Sequence, residues 1–405
     1  MMKKAVILLL AVVLACPLSV FGQGTGGSAG SDAAGGSDGA ANPDSAGLNI
    51  SSGAAVLIDG KTGAVLYEKN AHEELPPASV TKIMSMLLVL EAEDRGQIAL
   101  EDKVTISDRA AEMGGSQMYM EPGEQHTVEE LLKGAAMASA NDACVALAEF
   151  VAGSETAFVE LMNTKAEELG MMNTHFENTN GLPVANHYSS AYDIALMSKE
   201  LMEHEEIRPW LTTWMDTITV GLEGKQKEFG LTNTNKLIKQ YTGATGIKTG
   251  YTADAKFCLS GSAERGNMEL IGVILAGETS DKRFAEMRSM LDYGFAVYDC
   301  VTVGEKDVPI GTVTVEKGAG DTIHAVLPEN VDVLIKKEEK KSVTSETVVD
   351  KSVEAPVKKG DKLGEMRVLK DGKVVETYPL VADTDVERWK LSGVIKGMME
   401  YSFVK

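Results

Sequence analysis

Cysteine is scarce in this chain, and the little there is forms no useful pattern. The 405 residues hold four: Cys16, Cys144, Cys258 and Cys300. Cys16 falls in an apolar N-terminal stretch. The other three are an odd number, with no C-x-x-C spacing and no paired histidines, which argues against both a disulfide framework and a structural zinc site. They are expected to be buried thiols packed as small hydrophobic groups, and no metal or other cofactor is expected. Positive charge is also short: 39 Lys and Arg against 60 Asp and Glu leave a net charge of -21 and a pI near 4.8. Such a surface repels phosphate, which argues against a nucleic-acid partner, and any attachment to an anionic membrane must be local. Long apolar runs are lacking as well. Ala5 to Ala15 is too short for a spanning helix and follows Lys3 and Lys4. That is the layout of an export signal, here residues 1–22 with cleavage after Gly22. The run Val13-Leu14-Ala15-Cys16 offers lipoprotein processing as an alternative. Either route places the mature protein outside the cytoplasm, and it is expected to associate with the outer face of the cytoplasmic membrane.

Residues 23–48 are mostly Gly, Ser, Ala and Asp. They cannot bury enough apolar area to offset chain entropy and read as a flexible tether. From 49 to 300 the pattern is α+β. The run Ala54 to Ile58, a turn at Asp59 to Gly63 and a second run Ala64 to Tyr67 predict a β-hairpin. Helices are predicted over Ala78 to Glu93, Val128 to Ala152, Glu155 to Leu169 and Arg283 to Val297, with a buried strand at Leu270 to Leu275. From 301 to 383 short β segments alternate with Gly- and Lys-rich turns, which predicts a small all-β domain, with Lys336 to Lys341 as a solvated turn. The final segment, 384–405, can be drawn from Val386 as an amphipathic helix. Trp389, Ile395, Met398, Met399 and Phe403 then fall near one side. This suits a membrane-surface anchor, or a helix packed on the β-domain; the N-terminal leader is the other route to the membrane.

Three short motifs occur in order: Ser79-Val80-Thr81-Lys82, Ser139-Ala140-Asn141 and Lys248-Thr249-Gly250. Decoys exist at Ser402 to Lys405 and Lys61 to Gly63, but the first sits at the extreme end and the second in a hairpin turn. On a helix, residues three apart share a face, so Lys82 lies beside the Ser79 hydroxyl. Serine attacks only when a base takes its proton, and lysine can serve once burial and a neighbouring cation such as Lys248 lower its pKa. Ser139 can relay a proton and Asn141 can bond a substrate amide, although both also suit a helix start. Lys248 and Thr249 on an edge strand offer a cation and a hydroxyl to a carboxylate. Gly250 lets a peptide approach the backbone, and the Tyr251 amide can join that of Ser79 as an oxyanion hole.

The ordered set resembles the low-molecular-mass penicillin-binding proteins, the serine-type D-alanyl-D-alanine carboxypeptidases. So do the surroundings Pro77 to Met84, Ser139 to Ala143, Asn178 to Pro183 and Gly246 to Thr252, and the tail layout of β-domain and amphipathic helix. The resemblance covers nearly everything after residue 49. It implies a β-lactamase/transpeptidase-like catalytic domain with a small C-terminal all-β domain. It also implies an acyl-enzyme on Ser79, peptidoglycan stem pentapeptides as substrate, and β-lactam antibiotics as covalent inhibitors. Many relatives carry His where this chain has Tyr251. By its position after the K-T-G strand, Arg283 could support the carboxylate pocket. A β-lactamase would share the acylation set, but the E-x-x-L-N pattern of class A enzymes is absent between the second and third motifs. A DD-transpeptidase differs only in whether water or an amine takes the acyl group. A non-catalytic penicillin-binding sensor would be expected to have lost a motif, and none is lost.

Overall fold

The computed structural model describes residues 47–389. The expected leader and nearly all of the tether lie outside that range.

The organising element is a five-stranded antiparallel sheet. Its strands are β1 (Ala54–Asp59), β2 (Val65–Lys69), β3 (Ala244–Thr252), β4 (Lys256–Arg265) and β5 (Met268–Gly277), in the spatial order β2-β1-β5-β4-β3. Every residue of β1 is buried, because successive side chains point to opposite faces and both faces are covered. Val56 and Ile58 enter one core and Ala55 and Leu57 the other. Helix α5 (Ser280–Val297) closes the second core with Phe284, Met287, Met290 and Leu291. The first core joins the sheet to the helical half: α1 (Lys82–Asp94), α2 (Asn141–Ala152), α3 (Glu155–Glu168) and α4 (Ala191–Met202). Helix α1 runs through the middle of this core, and its residues from Lys82 to Leu90 are all buried. An all-round apolar helix is the signature of such a position.

Two expected helices differ in detail. Residues Ala78–Thr81 form a 3-10 turn, and the α-helix begins only at Lys82. The run expected as one helix over Val128 to Ala152 is broken. A helix Val128–Lys133 passes into a single π turn, Gly134–Ala138, then Ser139 adopts a left-handed conformation (φ 61°, ψ 34°) before α2 starts at Asn141. Periodicity cannot see such a break, because Ala135, Ala136 and Met137 on the π turn are as buried as helix-core residues.

Strand Tyr298–Gly304 follows α5 directly and pairs with Val331–Lys336. Beyond it, a six-stranded sheet encloses a separate core around Val313, Leu363, Val368 and Leu380. The two folded parts are joined by Lys61 Nζ to Asp332 Oδ2 at 2.6 Å and by Lys337 Nζ to the Phe295 carbonyl at 2.6 Å. Residues Lys337–Glu339 form a short 3-10 turn. The expected C-terminal helix is not helical at its described start. Val386 pairs with Val357, Arg388 bridges to Gly318, and the Trp389 amide donates to the Lys317 carbonyl at 2.9 Å. Here β-sheet pairing overrides the helical period, and the rest of that segment lies outside the described residues.

Candidate active site

Ser79 is half-buried in the 3-10 turn, one residue after Ala78, whose φ is 49°. That strained turn is held against Gly181, where a Cβ would lie 1.8 Å from the Ala78 carbonyl oxygen. Only glycine fits there. The turn presents Ser79 to the first residue of α1. Lys82 Nζ donates to Ser79 Oγ at 2.9 Å and to the Asn180 carbonyl at 2.7 Å.

Lys82 has no solvent exposure, and burial pushes its ammonium down to about 8. Charging an amine without water costs free energy, so the neutral form gains. Lys248, 1% exposed, is pushed well below the usual lysine range, first by burial and then by the charge of Lys82. The site thus holds two amines that resist being charged together. Cys144, on the α2 turn facing them, stays a thiol, pushed up to about 11 by burial.

The π turn that leads into the second motif is tied to the third motif by Thr234. The Thr234 amide donates to the Met137 carbonyl at 3.1 Å, and Thr249 Oγ1 donates to Thr234 Oγ1 at 2.7 Å. Ser139 is buried at the left-handed turn between the π turn and α2. Asn141 donates through Nδ2 to the Gly114 carbonyl at 2.6 Å, while its Oδ1 is buried without a partner. A free buried acceptor is costly, and an incoming amide N–H would satisfy it. The neighbouring Asp142 carboxylate accepts from the Met118 amide at 2.9 Å, fixing the 114–120 loop over α2.

Strand β3 is the edge of the sheet. A Cβ on Gly250 would meet the Pro77 carbonyl at 2.9 Å and the Ser79 amide at 3.0 Å, so the strand and the nucleophile turn are in close contact. Tyr251 follows, 58% exposed, its ring 4.5 Å from that of Phe257. Arg283 does not reach out to Lys248 or Thr249. Its Nη1 donates to the carbonyls of Gly250 at 2.8 Å and Cys258 at 2.9 Å, bracing β3 and β4 from α5.

Residue type alone does not mark two of the contributors. Asn180 acts through its backbone carbonyl, within a segment singled out only by resemblance. His187 accepts from the Glu177 amide at Nδ1 (3.0 Å), so its Nε2 donates to Thr81 Oγ1 at 2.8 Å. Burial holds it neutral, with a pKa down to about 4.

The chain matches the D-alanyl-D-alanine carboxypeptidase family over residues 39–279 and the penicillin-binding protein 5 C-terminal domain over 298–388. It is 46% identical to the D-alanyl-D-alanine carboxypeptidase DacF of Bacillus subtilis over 336 residues, covering 83% of this chain and 86% of that one. The crystal structure of penicillin-binding protein 5 from Haemophilus influenzae superposes with a TM-score of 0.67 at 30% identity, covering 84% of this chain and 98% of that one. A DD-transpeptidase of Streptomyces gives a TM-score of 0.58 at 31% identity, covering 62% of this chain and 98% of its own.

Proposed function

The chain belongs to the D-alanyl-D-alanine carboxypeptidase family, and from that premise we propose that Ser79 forms an acyl-enzyme with peptidoglycan stem pentapeptides and releases their terminal D-alanine. The observation that carries this assignment is the 2.9 Å contact between Ser79 Oγ and a fully buried Lys82 amine. Neutral Lys82 takes the proton as Ser79 Oγ attacks the carbonyl between the two D-alanines. The developing oxyanion is received by the Ser79 and Tyr251 amides. Ser139 passes the proton to the departing amine. Water then attacks the ester, gives a proton to Lys82, and Ser79 regains its hydroxyl.

Lys248 and Thr249 receive the terminal carboxylate, and the free Oδ1 of Asn141 accepts the substrate amide. A carboxylate beside Lys248 favours its charged form, and the resulting cation favours neutral Lys82 as base. Arg283 is a positioning residue, which holds the Gly250 carbonyl and therefore the edge strand. β-Lactams acylate the same serine. The reaction is extracytoplasmic, with the leader as the route of export. The named activity of the Streptomyces relative supports a second reading, in which an amine instead of water accepts the acyl group.

The test is D-alanine release from Nα,Nε-diacetyl-L-Lys-D-Ala-D-Ala by the wild type and by Ser79→Ala. Release that vanishes in the variant supports the reading. Release that persists removes Ser79 as nucleophile. Added glycine or D-alanine that diverts acyl groups into a new peptide would reveal transpeptidation.

A further inference from the structure

A cavity of about 410 Å³ opens beside the nucleophile turn. Its walls include Pro77, Leu182, Pro183 and Val184, and its rim carries Thr252 and Asp254. His187 also lines it but is neutral, since its Nδ1 accepts an amide hydrogen bond. Asp254 is therefore the one charged group among the described lining residues. It is exposed, at the turn between β3 and β4, and it plays no part in the acylation chemistry.

The direction of the edge strand says which part of a substrate meets this cavity. With the terminal carboxylate at Lys248 and Thr249 and the scissile carbonyl at the Tyr251 amide, an extended peptide runs on past Thr252. Each of its residues advances about 3.3 Å, and pockets along such a strand read individual side chains. The residue before the two D-alanines thus falls beside the cavity. An aliphatic stem suits the proline, leucine and valine walls, and a cationic end suits Asp254.

We propose that Asp254 is a specificity residue, selecting stem peptides whose third residue is a diamino acid ending in a free amine with no free carboxylate beside it. This rests on the carboxypeptidase reading. Lysine, ornithine or a diaminopimelate amidated at its distal carboxyl fits. A free distal carboxylate meets like charge. Because Asp254 is exposed, the effect is modest, about two- to fivefold in kcat/KM.

Three Nα-acetyl-L-Lys-D-Ala-D-Ala peptides test it, with the side-chain amine free, acetylated or succinylated. The wild type should prefer free over acetylated over succinylated. Asp254→Asn should level the three while leaving the acetylated peptide unchanged, and Asp254→Lys should reverse the order. A wild type without this order, or an order that survives Asp254→Asn, overturns the proposal. The acetylated peptide reports on the carboxypeptidase reading separately. If the wild type releases no D-alanine from any of the three, that reading fails and the specificity proposal fails with it.

Discussion

Raising the pH from 7 to 9 should speed acylation of Ser79 about tenfold, and further base should add almost nothing. The reasoning starts from Lys82, whose ammonium is pushed down to about 8 by burial. Only the neutral amine can take the serine proton. With that pKa, about one molecule in eleven has it at pH 7 and about ten in eleven at pH 9. A lysine at the ordinary value of 10.5 would gain about a hundredfold over the same interval and still be climbing at pH 10. The β-lactam carboxylate stays ionised throughout and contributes no slope. The assay is covalent labelling by a fluorescent penicillin under single-turnover conditions, read as the second-order rate constant from pH 6 to 10.5. A rate still rising tenfold per unit above pH 9, or one flat from 6 to 9, would refute Lys82 as a base tuned by burial. Stability carries the same signature. The folded pKa lies below the unfolded one, so the unfolded chain binds more protons between about 8 and 10.5, and Lys82 contributes stability that rises with pH across that window.

Two other outcomes follow. Gly250→Ala places a methyl group 2.9 Å from the Pro77 carbonyl and 3.0 Å from the Ser79 amide. The edge strand must move away from the nucleophile, and kcat/KM for D-alanine release should fall about a hundredfold while the thermal transition stays cooperative. His187 is buried neutral, with its pKa lowered from 6.5 to about 4. Its contribution is fully present above pH 6.5 and is lost as the pH falls towards 4. Denaturant melts at pH 7.5 and pH 5 should therefore differ by about 2 kcal/mol from this group, and His187→Gln should show a correspondingly smaller difference.

Much of the site is legible in the residues because its parts are local. The three-residue spacing of Ser79 and Lys82 places amine beside hydroxyl without knowledge of the fold, and the strand runs at Ala54 and Leu270 announce a sheet through β-branched and aliphatic content. What is not legible depends on distant backbone. The Asn180 carbonyl that holds Lys82 is chemically the same as any other carbonyl, so no residue type marks it. Arg283 could be placed near the carboxylate pocket by position, but its bonds go to the Gly250 and Cys258 carbonyls, which only the packing of α5 on the sheet reveals. The break at Ser139 hides inside an apolar run because a π turn preserves burial while shifting the helical phase. At the other end, the amphipathic period from Val386 predicts a helix, but the bridges to Val357 and Gly318 hold its first residues extended.

The open edge of β3 has a consequence for the protein's own solubility. Unpaired strand edges invite other strands, and self-association through them is the usual hazard of sheet proteins. In the proposed reaction the edge must remain unpaired to receive a peptide, so blunting it with proline or a covering loop would abolish that use. The protection is instead built from the same parts as the site. Lys248 is an inward-pointing lysine on the edge strand, 1% exposed, and inward-pointing charged residues are one of the devices by which sheet edges discourage pairing. The Pro77 to Ser79 turn lies hard against Gly250 and covers one face of the strand there. In the proposed reaction the strand that receives the end of a peptide is also one that discourages a second sheet, so selectivity against aggregation and selectivity for chain ends share the same residues.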